Sequence, residues 1–196
     1  MNVVGDSRFA DNQDLSGTKP YLSFSGYLGE YLYQAGIPAT VCNSARSGAT
    51  SLVYSSLLSA EKDIIADYTV YIIYTVNDFI SGAMTKSGLE TAKARALVVA
   101  EKSKKEGSAV IFMTIFPKGS GYTQTELGWI ADLNIFAATL SNFVIKPIEI
   151  YGTATGGWAL NPVTNASWTT VTLPSDHLCT EGYQDLAWRT VSLINS

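Results

Sequence analysis

YTVYIIY, residues 68–74, runs almost without a polar break and ends at Thr75-Val76-Asn77-Asp78. A strand exposed on one face alternates apolar and polar residues. A run without that alternation reads as a central parallel strand covered on both faces. If 68–74 is such a strand, helices must lie above and below it, and the chain on either side supplies them. Upstream, residues 2–4 read as a first strand, 23–34 as a helix closed by Gly36, 37–42 as a β-branched strand and 52–65 as a helix. Downstream, 87–106 has a polar start, an apolar stripe and a basic last turn before Gly107, and reads as a helix. A strand at 109–115, a loop at 116–124 and a helix at 125–143 follow. Residues 144–151 read as a strand interrupted by Pro147, 152–174 as a long loop and 180–194 as a final helix. This alternation predicts an α/β fold, a three-layer α/β/α sandwich around a roughly five-stranded parallel sheet.

Composition narrows the function classes. Hydrophobic residues make up 46% of the 196-residue chain and charged residues 15%, a balance that supports a packed core and argues against disorder. With a net charge of −4, the chain has only one dense basic cluster, Lys102, Lys104 and Lys105, which fits a helix end better than a nucleic-acid surface. No apolar run reaches the ~18 residues of a membrane span. No signal peptide is visible, and the very short first strand suggests a trimmed chain or a domain cut from a longer protein. Cys42 and Cys179 read as two free thiols. His177 is the single histidine, so zinc sites built on several His or Cys are excluded; an all-oxygen calcium or magnesium site stays open, and no metal or cofactor is called for.

Ligands on parallel sheets bind beyond the carboxyl ends of the strands, at the point where strand order reverses. Those positions hold Gly5-Asp6-Ser7, then Asn43-Ser44-Ala45-Arg46-Ser47-Gly48-Ala49-Thr50, then Thr75-Val76-Asn77-Asp78; Ser175-Asp176-His177 precedes the last helix, with Gly182-Tyr183 after it. Singly, each is a turn or a cap. Together they assemble the parts of acyl transfer. A serine hydroxyl needs a base, and imidazole serves near neutral pH. The tetrahedral oxyanion needs fixed donors, such as a backbone N–H beside a glycine and an asparagine amide.

The pattern resembles the SGNH hydrolases, or GDSL family, over nearly the whole chain and in the same order. Their serine in GDS matches Ser7, their second-block glycine Gly48, their asparagine in GxND Asn77, and their histidine in DxxH His177. The resemblance implies a flavodoxin-like SGNH fold spanning residues 1–196, with Ser7 as nucleophile and His177 as base. It also implies an oxyanion hole from the Ser7 and Gly48 N–H groups and the Asn77 side chain. Two positions depart from the family. Thr75 stands where GxND has glycine, which puts pocket shape in doubt. Pro174 stands where the family has the aspartate three residues before the histidine. Asp176, a backbone carbonyl of residues 173–175, or an acid from elsewhere then remains to orient the imidazole.

The expected activity is hydrolysis of small acyl esters, acetyl above all, from a carbohydrate. Trp158 and Trp168 in the 152–174 loop suit sugar stacking or plain packing, and Arg8 and Arg46 suit an anionic substrate or a carboxylate partner. The alternatives are a catalytically weak glycan-binding module of a surface or virion protein, or a lipolytic esterase or thioesterase. A surface or extracellular setting is favoured slightly over a cytoplasmic one, and no nucleic-acid partner is expected. A nucleotide-binding flavodoxin-like protein is disfavoured, because no P-loop or GxGxxG occurs.

Overall fold

The computed structural model describes residues 1–5, 8–9, 23–46, 48–53, 66–79, 83–168 and 177–196. Strands β1 (Asn2–Val4), β2 (Cys42–Asn43), β3 (Tyr68–Ile72), β4 (Ala109–Met113) and β5 (Val144–Ile145) form one sheet in the order β2-β1-β3-β4-β5. Every pairing is parallel, and Val3, Val70 and Ile111 lie in register across its centre. The run at 68–74 is indeed the central strand: Val70 to Tyr74 are fully buried, and beyond the last pair Ile73 N–H still donates to Met113 O at 2.9 Å.

Alternating side chains feed two cores, as the two-residue period of a strand requires. Val3, Val70, Ile72, Ile111 and Met113 face α1 (Phe24–Gln34) and the last helix, α5 (Thr180–Ile194). Val4, Tyr71, Val110 and Phe112 face α2 (Lys86–Lys105) and α3 (Gln124–Leu140). The α2 stripe of Leu89, Ala92, Ala96 and Val99 has the three- and four-residue spacing of one helix face. Thr85 caps that helix by accepting from Gly88 N–H, and Gly107, at φ +73°, ends it. The layers are therefore helix, sheet, helix.

Several boundaries differ from the periodicity reading. The strand expected over 37–42 is only Cys42–Asn43. Ile37 N–H turns back to Leu32 O and Gly36 N–H to Tyr33 O, a helix-closing motif, and Pro38 has no N–H to offer a ladder. The strand expected over 144–151 stops at Ile145; Pro147 does not interrupt a strand but starts a short helix, α4 (Pro147–Tyr151). Its fixed φ and missing N–H suit a first helical position. Helix α3 ends at Leu140, three residues early, because Ser141 is extended and its hydroxyl donates to Val110 O at 2.6 Å. Of the helix expected over 52–65, residues 51–53 are helical and the rest lies outside the described residues.

From β1 the chain passes through α1 to β2 on one side; from β3 it proceeds to β4 and β5 on the other. The reversal falls between β1 and β3, so the loops after these two strands flank the crevice where such sheets bind ligands.

Candidate active site

The loop after β2 is drawn along β1. Ser44 N–H donates to Val3 O and Arg46 N–H to Gly5 O, which continues the ladder past the last paired strand residue. Asn43 locks the junction. Its Nδ2 donates to Phe9 O at 2.6 Å and to Ser25 Oγ at 3.1 Å, while its Oδ1 accepts from Ala45 N–H at 2.9 Å. One side chain thus joins the loops after β1 and β2 to the start of α1. Phe9 itself stacks on Phe24, with ring centroids 4.4 Å apart, and Arg8 is buried with its guanidinium 5.1 Å above the Phe116 ring. Ser7 and Asp6 lie outside the described residues; Gly5, Arg8 and Phe9 on either side are all buried.

Gly48 sits in a turn closed by Ala49 N–H donating to Arg46 O, at φ +73°. No heavy atom lies within 4 Å of where its Cβ would be, so glycine is required here by backbone conformation rather than by crowding. Ala49 O then accepts from Asn77 Nδ2 at 3.0 Å. This bond ties the loop after β2 to the turn after β3 across the switch point. An amide carries two N–H donors, so one can hold Ala49 while the other is directed elsewhere. Asn77 lies in a single 3₁₀ turn, Val76–Asp78, directly after β3. The neighbouring Asp78 carboxylate accepts from Ser51 N–H and Oγ and from Thr75 N–H and Oγ1.

At the far end of the chain, His177 precedes α5 with its Nδ1 shielded from solvent. Leu178 beside it is buried against Gly182; a Cβ on that glycine would lie 2.8 Å from Leu178 Cδ2. Cys179 N–H donates to Trp168 O at 2.7 Å, which brings together the two ends of the segment containing Asp176. Residues 169–176, and with them Pro174 and Asp176, lie outside the described residues. Trp168 is 8% exposed and packs edge-on to Tyr151 at 5.2 Å; its place in the core supports the packing reading over sugar stacking. Tyr151 OH donates to Asp185 Oδ2 at 2.8 Å, and Arg189 Nε to the same oxygen at 2.6 Å. Burial and the facing Asp185 carboxylate push the Tyr151 hydroxyl far above its ordinary range. Burial likewise raises the Cys179 thiol, so it stays protonated near neutral pH. Trp158 is half-buried and Arg46 exposed.

The sequence reading gives Asp78 only a strand-end or cap role and Asn43 only a place in the loop after the second strand. Asp78 had a signal: Thr75-x-x-Asp78 is a capping-box spacing, the same as Thr123-x-x-Glu126 at the start of α3. Asn43 had only its local turn to Ala45 N–H; its amide's partners, Ser25 and Phe9, are 18 and 34 residues away. Among the described residues, no group of three or more His, Cys, Asp or Glu side chains could hold a metal ion. Nor is any helix among them long and apolar enough to cross a membrane.

No family model matches the chain, and no curated protein matches it. Solved structures do. An acetyl xylan esterase, AlAXEase, superposes with a TM-score of 0.67 at 18% identity, over 99% of this chain and 100% of that one. A catalytic mutant of Axe2, an acetylxylan esterase from Geobacillus stearothermophilus, gives 0.68 at 16% identity, over 98% and 92%. A protein described as lipolytic and of the G-D-S-L family, from Desulfitobacterium hafniense, gives 0.63 at 16% identity, over 97% of each. The chain has the SGNH hydrolase fold. Within it, Asn77 is bonded to the carbonyl of the residue after Gly48, and Thr75, the position where the resemblance expects a glycine, is buried.

Proposed function

We propose that this protein is a serine esterase that removes small acyl groups, acetyl in particular, from a carbohydrate. The observation that carries this reading is the Asn77 Nδ2 to Ala49 O bond, which sets an amide beside the left-handed Gly48 turn at the switch point of an esterase-like sheet. Ser7 comes three residues after the end of β1 in the sequence, and His177 is the single imidazole in the chain. In the proposed reaction, Ser7 Oγ attacks the acyl carbonyl carbon as His177 takes its proton. The N–H groups of Ser7 and Gly48 and the second Asn77 N–H hold the oxyanion. The C–O bond to the alcohol breaks, His177 protonates the leaving oxygen, and an acyl-serine remains. Water then attacks the acyl carbon and gives one proton to His177; the bond to Ser7 Oγ breaks, Ser7 regains that proton, and the carboxylic acid leaves and ionises in solution. Asp176 is proposed to orient the imidazole. The acetyl preference is supported by the acetylxylan esterases among the similar structures.

Hydrolysis of p-nitrophenyl acetate and labelling by a fluorophosphonate test the reading. Both are expected of the wild type and of neither Ser7→Ala nor His177→Ala; turnover retained in either variant would sink it. Asp176→Ala is expected to lower turnover, and wild-type turnover would remove Asp176 from the mechanism and favour a backbone carbonyl as the orienting group. A wild type that neither turns over nor labels would favour a glycan-binding module.

A further inference from the structure

The Asp78 side chain is 7% exposed, and a buried carboxylate is tolerated only when its lone pairs are matched. Its donors come from three places. Thr75 gives its N–H and its hydroxyl, both at 3.0 Å, from within the turn that carries Asn77. Ser51 gives its N–H at 3.1 Å and its hydroxyl at 2.8 Å from the segment that follows Gly48. Arg95 reaches across from α2, with NH1 2.6 Å from Ser51 Oγ and 3.5 Å from Asp78 Oδ1. Ser51 Oγ therefore donates to Asp78 and accepts from Arg95, so its hydroxyl has one orientation. The carboxylate lies next to Asn77 in sequence and is bonded three residues beyond Gly48. With the Asn77–Ala49 bond, it joins the two oxyanion-hole loops at two separate points.

The glycine of GxND could not do this alone, because it has no hydroxyl to turn on the carboxylate. We infer that the Thr75–Asp78–Ser51–Arg95 cluster is a positioning device for the Asn77 amide. In this reading Thr75 is a working substitution, closing the 75–78 turn from within. The inference rests on the esterase reading above, since it gives Asn77 an oxyanion to serve. Thr75, Asp78, Ser51 and Arg95 are positioning residues; none of them touches the substrate.

The test compares Thr75→Val, Thr75→Ser and Arg95→Met, alone and with Asn77→Ala, using p-nitrophenyl acetate turnover, fluorophosphonate labelling rate and thermal midpoint. Thr75→Val keeps the side-chain shape and the N–H bond and loses only the hydroxyl. It is expected to slow kcat and labelling together by about tenfold with KM within about twofold, because a misaimed donor costs the transition state more than the ground state. Thr75→Ser is expected to restore both rates. In the Asn77→Ala background the Thr75→Val effect is expected to shrink below about twofold, as for residues acting through one group. Arg95→Met, at the partly exposed end of the cluster, is expected to show the same kcat-only loss and serves if Thr75→Val does not fold. An active wild type whose Thr75→Val and Arg95→Met variants match it in kcat would overturn the inference and leave the esterase reading intact. So would a full tenfold loss persisting in the Asn77→Ala background. A wild type with neither turnover nor labelling would overturn both.

Discussion

Asn43→Ala tests whether one side chain holds the crevice together. The substitution removes three hydrogen bonds, to Phe9 O, Ser25 Oγ and Ala45 N. At about 1 kcal/mol net for each, the loss is about 3 kcal/mol. Phe9 is fully buried, so its carbonyl has little access to replacement water, which keeps the figure from falling much below that. For a chain of this size, about 3 kcal/mol corresponds to a fall in Tm of roughly 6–12 °C. Urea melts followed by circular dichroism, beside ester turnover, would read both consequences. Turnover should fall as well, because Phe9 lies two residues past Ser7 and Asn43 ties that loop to the one bearing Gly48. Asn43→Asp sharpens the test. An ionised carboxylate still accepts from Ala45 N–H but turns an oxygen onto the Phe9 carbonyl, so this variant should be at least as unstable at pH 7. Its folded pKa should be raised, since the neutral acid can donate to Phe9 O. A raised carboxyl pKa makes the deficit shrink as pH falls through it. An Asn43→Ala protein within about 0.5 kcal/mol of wild type would refute the reasoning, since surface substitutions without structural consequence stay in that range.

The other predictions concern α3 and the two site glycines. Burial works to raise the Glu126 pKa, but the Thr123 N–H and hydroxyl, Lys118 and Met84 N–H outweigh it and hold the group below its ordinary 4.5. The stability it contributes is therefore present above pH 4.5 and lost as pH falls through the lowered value, so the gap in urea midpoint between wild type and Glu126→Gln should narrow in that window; a gap constant from neutral pH downward would refute it. Gly48→Ala meets no neighbour but must hold φ +73°, and should cost about 1 kcal/mol in a urea melt. Gly182→Ala drives a methyl to 2.8 Å from Leu178 Cδ2, so it should displace the neighbouring His177 and lower kcat; unaltered turnover would show that Leu178 gives way harmlessly.

Much of this molecule was legible before any coordinates. The apolar run at 68–74, the helical stripe in 87–106 and the glycines that close helices are local patterns, and local patterns decide which segments are strands and helices. The alternation of those elements then leaves little choice but a parallel sheet, and with it the edge where Gly48 and Asn77 meet. Boundaries failed where a second local effect competed: the helix-closing turn at Ile37, and Pro147, which breaks a strand and begins a helix equally well. Other features belonged to the tertiary structure alone. The burial of Arg8 over Phe116 and of Trp168 against Tyr151, and the bonds from Asn43 Nδ2 to Phe9 and Ser25, depend on partners 17 to 108 residues away in the chain. Arg95 reaches Ser51 across 44 residues. A side chain's hydrogen bonds are chosen by what folding brings beside it, and sequence spacing carries no record of that once the partners lie on different elements.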